Sequence, residues 1–158
     1  MKQAKVLNDK EVKKVTDYID AFDRHSDRNK TIVLLTHYCG MRISEVGSLL
    51  KSDVVNAQGE VNDVIHLTAQ QTKGSKSRRV FVNKKAKTAI KRYLQSDLSV
   101  LQHPYLFQTQ KSKRFNTNAL TQLVKRLYDR VGIVGASSHS GRRTFITKLA
   151  TSGVSVRV

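Results

Sequence analysis

Three short stretches of this chain gather residue types that handle negatively charged oxygen. Gly40-Met41-Arg42-Ile43-Ser44-Glu45 sets an arginine in the turn between two helical patterns, with a carboxylate three residues on. A guanidinium held there can grip a phosphate through two parallel N–H donors while Glu45 fixes its orientation. The pair equally suits a plain helix-turn salt bridge, which is the simpler account of this stretch alone. Gln71-Thr72-Lys73-Gly74-Ser75-Lys76-Ser77-Arg78-Arg79 is a basic hairpin between two strand-like runs. A lysine at its tip can enter a groove, touch a phosphate or give a proton to a departing oxygen. Taken alone, a solvated turn explains it as simply. Ser137-Ser138-His139-Ser140-Gly141-Arg142-Arg143-Thr144-Phe145 opens the last helical pattern. His139 and Arg142, three apart, share one face of its first turn, where unpaired backbone N–H groups already favour an anion. The alternative has His139 capping the helix or lining the core, with Arg142 and Arg143 as surface charges, and the residues leave both open.

Other chemistries find less support. His25, His37, His66 and His103 lie in a charged turn, an apolar helix, a strand and before Pro104, and none is assigned a catalytic role. The absence of HExxH, CxxC, Walker A and GxGxxG patterns argues against a zinc protease, a P-loop NTPase and a dinucleotide enzyme. A single cysteine, Cys39, excludes an intrachain disulfide and a cysteine-based metal cage. One cysteine also suits a reducing compartment, and a cytoplasmic, nucleoid-associated location is expected.

The charge names the class of partner. The 158 residues carry 29 Lys and Arg against 12 Asp and Glu, a net charge of +17. Residues 1–60 hold 10 basic and 9 acidic side chains, whereas residues 61–158 hold 19 and 3, so nearly all of the excess lies in the later part. A repeating phosphate backbone uses that many cations at once, so the charge favours nucleic acid over a small acidic substrate, with an acidic membrane surface the less favoured polyanion. At 39% hydrophobic, a chain this long can bury a core without staples.

These stretches need elements to hold them. Val12, Val15, Ile19 and Phe22 recur at helical spacing behind a cap at Asn8 or Asp9. Asp23 to Asn29 reads as a turn, followed by a buried-looking helix through Ile32–Leu35 and Tyr38 that Gly40 can stop. A short helix follows from about Ile43 to Leu50. Three short antiparallel strands are expected at Asp53-Val54-Val55, Val61–Thr68 and Arg79–Val82. Helical spacing returns at Lys84–Gln95 and Asn118–Arg130, with a loop at Gln102–Phe107 between them, and a last helix runs from near Ser138 to Gly153. No repeat or linker divides the chain, so one α+β, mainly α domain over residues 1–158 is expected.

In this order and spacing, the three motifs resemble the catalytic domain of the tyrosine recombinases, or phage integrase family. The resemblance runs from about Val6 to the last residue. It implies a helical catalytic fold with a small three-stranded antiparallel sheet, and site-specific recombination or integration of DNA through a phosphotyrosine intermediate. It also implies roles. Arg42 and Arg142 would bind the non-bridging oxygens of the scissile phosphate, Lys73 would protonate the leaving 5′-oxygen, His139 would assist proton transfer and Glu45 would steady Arg42. Lys76, Arg78, Arg79 and Arg143 would contact double-stranded DNA, the partner the resemblance implies, and no metal or cofactor would be required. The attacking tyrosine of the family follows the His-x-x-Arg helix, so it is expected beyond Val158, and Tyr18, Tyr38, Tyr93, Tyr105 and Tyr128 all precede that motif. The family's N-terminal core-binding domain is likewise not among these residues. The parent protein would act as a tetramer on DNA, with this stretch by itself monomeric and inactive; the other reading is a DNA-binding remnant or architectural module of the same fold.

Overall fold

The structure is a computed structural model that describes residues 3–72, 76–96, 103–109 and 114–153. Helix α1 (Asp9–Phe22) opens with a reciprocal cap: Asn8 Oδ1 accepts from Glu11 N at 2.8 Å, and Glu11 Oε1 accepts from Asn8 N at 3.1 Å. Such a cap satisfies two N–H groups that the helix itself cannot. The expected stripe of Val12, Val15 and Ile19 is buried, whereas Phe22 at its end is exposed.

Helix α2 (Ser26–Cys39) is the central element. Residues 31–37 are buried on every face, and α1, α5 and α7 all pack on it. It starts earlier than the charged stretch suggests, because Asp23 organises that stretch from its side chain. Asp23 accepts from His25 N at 2.9 Å and from Asn29 Nδ2 at 2.7 Å, so Asn29 is buried with its amide satisfied. Gly40 ends α2 in the left-handed region at φ 69°.

Short helices α3 (Ile43–Ser48) and α4 (Lys51–Val54) follow, then strands β1 (Val64–Leu67) and β2 (Arg78–Phe81). Among the described residues the sheet has two antiparallel strands, with Ile65 opposite Val80 and His66 opposite Arg79. The third strand expected at Asp53-Val54-Val55 is not formed. Asp53 Oδ2 instead accepts from Leu50 N at 2.9 Å and closes the turn of α4, leaving Val55 a lone bridge to Val61. A capping carboxylate outweighs the β preference of two valines, which is weak away from a pairing partner.

Helices α5 (Lys84–Ser96), α6 (Thr117–Arg130) and α7 (Ser140–Thr151) complete the domain. Their buried stripes, Ala86-Ile90-Tyr93 and Leu120-Leu123-Val124-Leu127, join one hydrophobic core with α1 and α2. Each fully buried Val, Leu or Ile side chain there contributes about 1.5–3 kcal/mol. Helix α7 starts two residues later than expected, because Ser140 Oγ accepts from Ser137 N at 2.9 Å and folds the preceding residues into a turn.

Candidate active site

The site sits at the C-terminal end of α2, where α7 crosses it at very short range. A β-carbon built on Gly141 would lie 2.2 Å from Thr36 Oγ1, and one built on Gly40 would lie 2.3 Å from the Phe145 ring. Only glycine at both positions lets the helices meet so closely. The approach places Arg142, one residue beyond Gly141, so that its Nη1 donates to Gly40 O at 2.7 Å. Arg142 is thereby fastened two residues from Arg42, although a hundred positions separate the two in the chain.

Arg42 itself stands at the start of α3, and Glu45 lies beneath it. The Glu45 carboxylate is fully buried. Its Oε1 accepts from Arg42 N at 2.9 Å and from Arg78 Nη2 at 2.6 Å, while Oε2 accepts from Arg78 Nε at 3.2 Å and from Arg42 Nη1 at 3.4 Å. Burial pushes this carboxyl up, but the donors of Arg78 and Arg42 outweigh it and hold the group below the usual carboxylate range. Burial also pulls the Arg142 guanidinium down to about 10, helped by the positive charges of Arg42 and Arg78 and opposed by Glu45. Arg142 therefore stays cationic near neutrality. Three guanidinium groups with one carboxylate among them leave an excess of positive charge that an anion would relieve.

His139 is the exposed residue immediately before α7, with its backbone N–H on Ser137 Oγ at 3.3 Å. Lys73, from the basic hairpin stretch between β1 and β2, lies outside the described residues. The root of that hairpin is well anchored: Gln71 Nε2 donates to Ser48 O at 3.2 Å and to Asp53 Oδ2 at 3.0 Å, and the Thr72 hydroxyl donates to Lys76 O at 3.2 Å. Lys76 and Arg79 are exposed. Arg143 is partly buried, with its Nε enclosed and lacking an acceptor among the described residues.

The structure thus brings Arg42, Arg142 and Glu45 together and adds Arg78, which the sequence suggests as a duplex contact. Its side chain is 15% exposed and is spent on Glu45. No local signal reveals that pairing, since the partners are 33 residues apart. Gln71 is a second residue whose anchoring role has no sequence signature.

The five tyrosines are engaged elsewhere. The Tyr18 hydroxyl accepts from Arg130, Tyr38 accepts from Lys85, Tyr93 donates to Leu106 O, and Arg114 covers the Tyr105 ring. Tyr128 is fully buried in the core, and that burial raises its pKa. Among the described residues no group of His, Cys, Asp and Glu is arranged to hold a metal ion, and no helix is long and apolar enough to cross a membrane.

A mainly helical fold with a small antiparallel sheet and this arginine cluster at one helix end defines a catalytic domain of the tyrosine recombinase type. The chain belongs to the phage integrase family, whose sequence model matches residues 5–158. Transposase A from transposon Tn554 of Staphylococcus aureus is 32% identical over 164 aligned residues, which cover 96% of this chain and 43% of the transposase. The crystal structure of XerA recombinase matches with a TM-score of 0.78 at 26% identity, over 98% of this chain and 54% of that one. XerH site-specific recombinase, in a pre-cleavage complex with its difH substrate, shares the fold with a TM-score of 0.70 at 23% identity, over 96% of this chain and 44% of that one. The chain therefore spans about half the length of the proteins it matches.

Proposed function

We propose that these residues form the phosphodiester-handling part of a site-specific DNA recombinase that cleaves and rejoins strands through a phosphotyrosine. The observation that carries this reading is the meeting of Arg142 and Arg42, from two distant elements, over a buried carboxylate. Attack on a phosphodiester builds negative charge on the equatorial oxygens. Preorganised guanidinium donors stabilise that charge without reorganising at the moment of reaction. A tyrosine oxygen forms the new bond to phosphorus, and the bond to the 5′-oxygen breaks. Lys73 supplies the proton that this oxygen takes up, and His139 assists proton transfer at the phosphate. The phosphotyrosine keeps the bond energy, so a 5′-hydroxyl can reverse the step and join strands. Because Tyr18, Tyr38, Tyr93, Tyr105 and Tyr128 are engaged elsewhere, the attacking hydroxyl comes from outside these 158 residues. Double-stranded DNA is the partner, and Lys76, Arg79 and Arg143 supply further cations along it.

A nicked duplex that traps the covalent intermediate tests the proposal. A protein carrying this chain together with the family's tyrosine gives a protein–DNA adduct, and Arg42→Ala or Arg142→Ala abolishes the adduct while sparing most non-specific duplex binding. The 158-residue chain binds duplex without forming an adduct. An adduct from the 158 residues alone overturns the placement of the nucleophile. Duplex binding with no adduct from the longer protein favours an architectural DNA-binding module instead.

A further inference from the structure

The four donors on Glu45 are shared unequally. Arg78 takes both carboxylate oxygens with its fork, at 2.6 and 3.2 Å, whereas the guanidinium of Arg42 reaches one oxygen at 3.4 Å. The Arg78 side chain is 15% exposed and that of Arg42 46%. Enclosure as complete as that of Glu45 drives a carboxyl to take up a proton unless a counter-charge faces it at close range. The long, half-exposed contact from Arg42 is poorly placed to supply that charge. The fork of Arg78 is well placed, since two parallel charge-assisted bonds are both stronger and more directional than one. Arg42 can then lean on an ionised carboxylate and still keep part of its guanidinium facing solvent.

Arg78 also begins β2, directly after the basic hairpin. Gln71 at the other end of that hairpin is fastened to Ser48 O at the end of α3, and Arg78 is fastened to Glu45 in the same helix. Both ends of the segment between them are therefore tied to the six-residue helix that begins next to Arg42.

We propose that Arg78 is a positioning residue of the site: by holding the buried Glu45 carboxylate ionised, it orients the Arg42 guanidinium and locks the root of the basic hairpin to α3. The proposal rests on the reading of Arg42 as a phosphate-binding group. Arg78 acts through Glu45 and touches no substrate.

NMR on the 158-residue chain tests it. The Glu45 carboxyl carbon reports its titration, and the Arg42 Nε–H group reports guanidinium order. In the unaltered chain Glu45 titrates below the ordinary glutamate range and Arg42 is ordered. In Arg78→Gln, Glu45 titrates above that range and Arg42 becomes mobile, while Arg78→Lys, which keeps the charge but not the fork, falls between the two. A folded Arg78→Gln chain with Arg42 as ordered as before overturns the proposal. Should Arg78→Gln fail to fold, the double variant Glu45→Gln with Arg78→Gln removes both charges together. A mobile Arg42 in that variant supports the proposal, and an ordered one reduces Arg78 to a structural counter-ion and overturns it. A separate titration with inorganic phosphate, read on Arg42 and Arg142 in the unaltered chain, tests the functional reading itself. No response there refutes phosphate binding and leaves the Glu45 and Arg42 readouts standing.

Discussion

Gly141→Ala is the sharpest perturbation the structure offers, because it adds one methyl group where α7 crosses α2. The new carbon would sit 2.2 Å from Thr36 Oγ1, 2.7 Å from Thr36 Cβ and 2.9 Å from His37 N. Ordinary contact begins at 3.4 Å, so the helices must part by about 1.2 Å at this point. Thr36 cannot simply rotate away, since its hydroxyl donates to Val33 O at 2.7 Å and its β-carbon is itself too near. Overpacking costs about 1–3 kcal/mol, and a displacement between two packed helices that neither side can absorb takes the upper part of that range, about 2–3 kcal/mol. Alanine recovers at most about 1 kcal/mol as the better helix former. The net loss is about 1–2 kcal/mol, which for a chain of this size lowers Tm by about 2–8 °C. Thermal unfolding followed by circular dichroism measures it. The same displacement lifts the adjoining Arg142 off Gly40 O, and a shift of about 1 Å in a positioning group can cost about 100-fold in rate. Loss of the phosphate response at Arg142 therefore accompanies the lower Tm. An unchanged or raised Tm, with the Arg142 side-chain signals unmoved, would refute the argument that this glycine contact sets the site.

Three further outcomes follow from particular residues. His37 is buried with neither ring nitrogen partnered among the described residues, and burial, with Lys148 and Lys85 adding to it and Asp9 opposing, lowers its pKa from 6.5 to about 4. Below pH 6.5 the unfolded chain takes up a proton that the folded one refuses, so stability is full above that pH and declines as the pH falls toward 4, by about 3 kcal/mol in all. Urea unfolding at pH 7 and pH 4.5 should show most of that loss in the native chain and little of it in His37→Phe; equal losses in both would exclude His37 as the cause. Burial pushes the Cys39 thiol up to about 11, so iodoacetamide near neutrality should leave the folded chain unmodified and label it on unfolding. For duplex DNA, log K should fall linearly with log salt, and Lys76→Gln or Arg79→Gln should each reduce the slope by about 0.9; an unaltered slope removes that side chain from the interface.

The elements that local chemistry can specify were legible in the sequence. Asn8, one of the two caps the sequence allows, starts α1, Gly40 stops α2 in a left-handed conformation, and the apolar stripes of α1, α5 and α6 face the core as their spacing predicts. Each depends on residues within a few positions of one another, where backbone geometry alone decides what meets. The expected third strand failed through one contact of the same short range and one of longer range. Two valines at positions 54 and 55 carry a β preference, but Asp53 closes a helical turn on Leu50 N and accepts from Gln71, eighteen residues on.

The site divides along the same line. Residue type, order and spacing marked Arg42, Glu45, His139 and Arg142 through the resemblance to the phage integrase family, which carries such groups in that order. Which arginine neutralises Glu45 was decided only in three dimensions. Arg42 is the neighbour at three residues, yet Arg78, thirty-three residues away, takes the carboxylate with its fork. Arg142 likewise reaches Gly40 only because two glycines allow α7 to press against α2. A sequence states which charges are present and which lie within a turn of each other. Their burial, and so the strength of each pairing, depends on which surfaces the completed core encloses.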